Sequence, residues 1–242
     1  LVDADVVFYN GLELEGRMGE ALEQVEDRGI SAEPVAQTVR QSALLMPEEF
    51  DGAFDPHVWM DVTLWKDVAE TLAKEFTDMD STHAEIYAEN LAAYSARLDS
   101  LDAWVRAEVE AVPEPQRVIV TAHDAFNYFG AAYGFEVRGL QGLSTITEAG
   151  AVDIQDLATF VAERQIPALF VETSVSERSI QAVLEAVRSR GWTAEIGGRL
   201  YSDALGDPGT PEGTYEGMIR HNVTTIVEAL TGQVSAPAGP PA

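Results

Sequence analysis

Histidine is scarce in this chain, four in 242 residues, and two of the four stand where a side chain could meet a ligand. His57 lies in Phe54-Asp-Pro-His-Val-Trp-Met-Asp61, where Pro56 stiffens the approach and Trp59 can wall a dry pocket. His123 directly follows the apolar run Val118 to Ala122. That places it at the carboxyl end of a predicted parallel strand, the edge at which open α/β sheets hold their ligands. His83, in the first turn of a long helix, and His221, inside a terminal amphipathic helix, read as structural or solvated.

The acidic partners are harder to choose, because 41 carboxylates make accidental pairs common. Asp203 follows Leu200-Tyr-Ser in the loop beyond a strand ending at Gly198, and taken alone reads as a solvated loop acid. Glu172, closing the run Ala168 to Val171, is its rival as a ligand. Asp61 stands four residues after His57 but is better explained as the cap of the helix it precedes. Glu148 reads as support for a loop or helix start. His57, His123 and Asp203 could hold a catalytic divalent metal with an open position. No nucleophile elbow, Walker loop, dinucleotide-binding glycine fingerprint or HExxH helix is present. That absence weakens an enzymatic reading without removing it.

These residues need elements to hold them. Val6, Val7 and Phe8 form a short apolar run closed by Asn10-Gly11, a buried strand entering a turn. A helix over 13–28 follows, then strand pieces and loop to His57, and a helix capped by Asp61 that runs to about Phe76. Tyr87, Leu91, Tyr94, Leu98, Leu101 and Val105 recur at four and three, with Thr82 and Glu85 in capping-box relation. This predicts one helix over 80–112, roughly 50 Å long, a spine between two lobes that resists hinge bending. Beyond Pro115 strands alternate with helices: strands at 118–121, 136–140, 168–172 and 194–198, and helices at 124–133, 153–164, 177–190 and 214–230. The alternation implies a mainly parallel sheet. The expected organisation is a first lobe at 1–79, the long helix at 80–114, an α/β lobe at 115–234 and a Pro/Ala tail at 235–242.

Composition narrows the partners. Fifteen Lys and Arg against 41 Asp and Glu leave a net charge of −26, a field that repels nucleic acid and anionic membrane surfaces. Small cations are favoured instead. The absence of cysteine removes thiolate ligands, thiol nucleophiles and disulfides. No apolar run is long enough for a membrane span. Lysine occurs only as Lys66 and Lys74, a skew that fits a GC-rich genome or a salt-rich habitat equally well.

With these positions in view, the chain resembles the periplasmic or surface-anchored binding proteins that deliver manganese, zinc or iron to ABC importers. The resemblance is carried by Ala4-Asp-Val-Val-Phe-Tyr-Asn-Gly-Leu12, Asp55-Pro-His-Val-Trp59, Thr121-Ala-His-Asp-Ala-Phe126, Gly139-Leu-Gln-Gly-Leu143, Val171-Glu-Thr-Ser-Val-Ser176, Tyr201-Ser-Asp-Ala204 and Gly213-Thr-Tyr-Glu-Gly-Met-Ile-Arg-His-Asn222. It implies two α/β lobes bridged by a long helix, with a metal in the cleft held by His57, His123 and Asp203. It further implies a non-enzymatic, monomeric receptor outside the cytoplasm whose partner is an ABC permease. A metal-dependent hydrolase using the same cluster is the alternative. Two imidazoles and a carboxylate are too nitrogen-rich for Ca²⁺ or Mg²⁺. The segments around His123 and Ser176 resemble manganese-type members, so Mn²⁺ is expected first, Zn²⁺ second, with Fe²⁺ also compatible.

The resemblance also implies a further histidine ligand upstream of Ala4, along with a signal region, neither of which this sequence contains. The first lobe is therefore expected to be incomplete, with weaker metal binding than a chain that includes that segment; Glu13 is the nearest acid to the gap. Because ligating imidazoles must be neutral, affinity should fall as pH drops from about 7.5 to 5.5.

Overall fold

In the computed structural model, which describes residues 3–47, 50, 52–141 and 150–232, the chain divides into two units, Leu1–Asp102 and Ala103–Ala242. Glu148 and the Pro/Ala tail lie outside the described residues.

In the first unit, β1 (Val6–Tyr9) pairs in parallel with β2 (Ser31–Pro34), and α1 (Gly19–Glu26) connects them. Their shared core is Val7, Leu22, Val25 and Ala32. The helix is shorter than the expected 13–28. Gly11, Leu12 and Glu13 all take positive φ, and Glu15 folds back to accept the amides of Asn10 and Gly11 at 2.6 and 3.0 Å. That closed turn uses up the residues that would have formed the first helical turn.

α2 (Val62–Met79) starts where its cap predicts: the Asp61 carboxylate accepts from the Thr63 amide at 2.7 Å and from its hydroxyl at 2.8 Å. Val62, Leu64 and Val68 form its buried face. α3 (Ala84–Val109) follows a single 3₁₀ turn over Ser81–His83. Where a helix start near residue 80 with a Thr82/Glu85 capping box is expected, the 3₁₀ turn intervenes and polar contacts gather on Asp80. Its carboxylate lies 2.6 Å from His83 Nδ1, accepts from Tyr87 Oη at 3.3 Å, and also takes the Thr82 amide. Those bonds, the His83 bond foremost, hold the Asp80 carboxyl below its ordinary pKa. Along α3 the apolar stripe deepens, from half-buried Tyr87, Leu91 and Tyr94 to fully buried Leu98, Leu101 and Val105. The helix begins in the first unit and ends in the second.

The second unit keeps the predicted alternation. β3 (Val118–His123) pairs in parallel with β4 (Glu136–Gln141) across α4 (Asn127–Tyr133). β5 (Ala168–Glu172) pairs in parallel with β6 (Glu195–Leu200) across α6 (Arg178–Ser189). α5 (Ala151–Glu163) and α7 (Tyr215–Thr231) complete it. Every residue of β3 and β5 is buried, the signature of strands covered on both faces. Val120, Ala122, Leu169, Val171, Ile180 and Val183 belong to one core cluster. The register of β5 against β6 shifts near Phe170, where Gly197 and Gly198 let the backbone run close to Ala229 and Thr225 of α7.

One glycine bears directly on the end of β3. The Gly139 amide donates to Asp124 Oδ1 at 2.7 Å, and a Cβ at Gly139 would overlap that carboxylate and stand 2.7 Å from the Asp124 amide. Gly139→Ala should therefore cost about 1–3 kcal/mol through overpacking, read as a lower urea midpoint with an unchanged slope. An unchanged midpoint would mean that the turn after His123 relaxes freely.

Candidate metal-binding residues

Parallel strands bring their carboxyl ends to one edge, and the candidate ligands of the second unit all come from there. His123 is the last residue of β3, Glu172 the last of β5, and Asp203 lies three residues beyond the end of β6. His123 and Glu172 are buried, while the Asp203 side chain is 28% exposed. Asp203 Oδ1 stands 3.4 Å from His123 Nε2, and Glu172 Oε2 stands 2.6 Å from Nδ1 on the other side of the ring.

Burial of the ring pushes the His123 pKa down. Hydrogen bonding to Asp203 and Glu172, with the charge of both carboxylates, outweighs burial and raises it from 6.5 to about 10. Without a metal, the ring between these two carboxylates is an imidazolium at neutral pH.

Glu172, the rival of Asp203 by sequence, makes a different set of contacts. Oε1 accepts the backbone amides of Ala122 and His123 at 2.9 and 3.0 Å, and Oε2 faces the His123 ring. The carboxylate ties the end of β5 to the end of β3. No local pattern in the sequence pairs residues some fifty positions apart.

Asp203 rides on a loop that is tied down from two sides. Asn222 of α7 brackets Tyr201: its Oδ1 accepts the Tyr201 amide at 2.9 Å and its Nδ2 donates to the Tyr201 carbonyl at 2.7 Å. The hydroxyls of Ser202 and Ser174 lie 2.6 Å apart. A free loop would pay ordering entropy on binding, and a tethered one has already done so.

His57 belongs to the first unit. It is buried, with its amide donating to Asp55 Oδ1 at 2.9 Å and its Nδ1 2.7 Å from the same oxygen. Trp59 meets the ring edge-on with centroids 5.2 Å apart. Asn10 Nδ2 donates to the Pro56 carbonyl at 3.0 Å, fastening the segment just before His57 to the turn after β1. The Asp55 contact was legible in principle, since an aspartate two residues before another residue commonly accepts its amide.

The other two histidines are accounted for elsewhere. His83 contacts Asp80 at the start of α3, and His221 Nε2 is 2.8 Å from the Arg199 carbonyl with Tyr201 against its ring. Asp61 caps α2.

Both buried imidazoles thus have Nδ1 against a carboxylate, an arrangement that fixes ring orientation and presents Nε2 to a metal. Among the described residues, no helix is long and apolar enough to cross a membrane.

Residues 1–229 match the profile of the family described as zinc-uptake complex component A, periplasmic. The chain is 48% identical over 230 residues to the manganese-binding lipoprotein MntA of Bacillus subtilis, covering 95% of this chain and 74% of that protein. It is 46% identical over 230 residues to the zinc-binding protein TroA of Treponema pallidum, with the same coverage of 95% and 74%. The solved structure of the periplasmic zinc-binding protein TroA from Treponema pallidum superposes with a TM-score of 0.90 at 45% identity, covering 95% of this chain and 82% of that one.

Proposed function

Because the chain belongs to the zinc-uptake complex component A family, we propose that it captures one divalent first-row ion with His57, His123 and Asp203 and passes it, outside the cytoplasm, to an ABC permease. The observation that carries this reading is the shared set of the two imidazoles, each buried and each held at Nδ1 by a carboxylate, Asp55 for His57 and Glu172 for His123. Rings locked in that way present Nε2 with little entropy left to lose. Asp203, close to His123 Nε2, supplies the negative charge. A metal-dependent hydrolase on the same cluster has no support in a family of binding proteins.

We propose manganese as the physiological cargo, following MntA and the sequence context of His123, with zinc as the competitor named by TroA. Affinity alone does not decide between them, since nitrogen and oxygen sites generally bind Zn²⁺ more tightly than Mn²⁺. The cargo is whatever the permease accepts and the cell supplies. The receptor acts as a monomer.

Loading the metal-free protein with Zn²⁺ should give one ion per chain, and His57→Ala and Asp203→Ala should each weaken that same binding event. If the double variant loses no more than about the larger single loss, the two residues hold one ion cooperatively. Two independent weak sites, each abolished by only one substitution, would refute the shared site.

A further inference from the structure

We infer that Glu172 is a positioning residue that selects which nitrogen of His123 faces the ion. This rests on the proposal that His123 is a ligand. The two Glu172 oxygens divide their work: Oε1 takes the amides of Ala122 and His123, and Oε2 faces Nδ1 at 2.6 Å. A carboxylate accepts at both oxygens, so it suits two amides on one side and a ring N–H on the other. The Nδ1 proton is thereby committed to Glu172, so the proton that an incoming cation displaces is the one on Nε2, which faces Asp203 Oδ1 at 3.4 Å.

Glutamine has nearly the same shape but only one accepting atom. Its carbonyl oxygen must meet the Ala122 and His123 amides, because the reverse orientation points two donors at two donors. The NH₂ group then faces Nδ1, which has to accept. The ring then keeps its only proton on Nε2, facing Asp203 in the metal's direction, and a cation cannot displace it there without leaving the ring anionic. Both residues are buried, so water is poorly placed to relieve the mismatch. An isosteric change that leaves the core filled should therefore disable the ligand through its tautomer alone.

The test combines zinc affinity with nitrogen-15 NMR of the histidine rings. In the Zn²⁺-loaded parent protein, His123 should be bound through Nε2 with a slowly exchanging proton on Nδ1. Glu172→Gln should lower Zn²⁺ affinity about 10–100-fold, and its metal-free His123 should carry the proton on Nε2. A His123 ring untouched by Zn²⁺ in the parent protein would defeat the ligand assignment itself. A ring bound through Nδ1, or a folded Glu172→Gln protein within threefold of parental affinity, would overturn the role given to Glu172 while leaving the ligand intact. If Glu172→Gln does not fold, the ring nitrogen seen in the loaded parent protein still decides the question.

Discussion

His123→Ala should bind Zn²⁺ or Mn²⁺ at least about a hundredfold more weakly than the parent chain, since losing a ligand costs no less than losing an outer-shell partner. The same change should destabilise the fold. Read from the sequence, His123 is a ligand at a strand end whose removal opens no core. In the structure it is buried against an equally buried Glu172, and truncating one partner of such a pair typically costs about 3–5 kcal/mol. Asp203→Ala provides the contrast. Its side chain is 28% exposed, so it should lose metal affinity comparably while shifting stability by less than about 1 kcal/mol. Isothermal titration with Zn²⁺, set beside urea unfolding of the metal-free proteins, separates the two effects. A folded His123→Ala protein with parental affinity would remove His123 from the site, and one with parental stability would mean that Glu172 finds another partner.

The second large effect is in pH. An ordinary imidazole is almost fully neutral above pH 7.5, so affinity would level off there. With the His123 pKa raised to about 10, an incoming ion must displace a proton throughout the neutral and mildly alkaline range. Affinity should keep rising by about tenfold per pH unit between roughly 7 and 9. Calorimetry in buffers of differing ionisation enthalpy should find close to one proton released per ion at pH 8. For the metal-free protein the sign is opposite. A raised histidine pKa contributes stability that is complete below the unfolded value of 6.5 and is lost as pH climbs through about 10. The melting temperature without metal should therefore decline across that window, and saturating Zn²⁺ should flatten the decline. A plateau in affinity from pH 7.5 upward, with no proton release, would mean that Asp203 and Glu172 do not hold the proton on the ring.

These two results depend on features of different legibility. The buried runs of β3 and β5, the Asp61 cap and the helical stripe from Tyr87 to Val105 could be read directly, because each is written in residues within a turn or two of one another. The position of His123 at a strand's carboxyl end followed from the same local pattern. Where several polar neighbours can fill one local role, the pattern does not choose between them. The polar contacts before α3 centre on Asp80, whose carboxylate meets His83, Tyr87 and the Thr82 amide.

Sequence alone therefore determined the α/β alternation and the parallel pairing, since periodicity and strand ends are local properties, and it singled out His57 and His123 by position; Asp203, a solvated loop acid by local pattern, joined them only through the family resemblance. Only the tertiary structure decided that Glu172 meets the His123 ring and amide, that Asn222 and Ser174 contact the loop leading to Asp203, and that two carboxylates flank His123 and raise its pKa. Each of these depends on which groups a buried polar atom meets across tens of residues, and desolvation makes such meetings strong enough to reset a tautomer or a pKa.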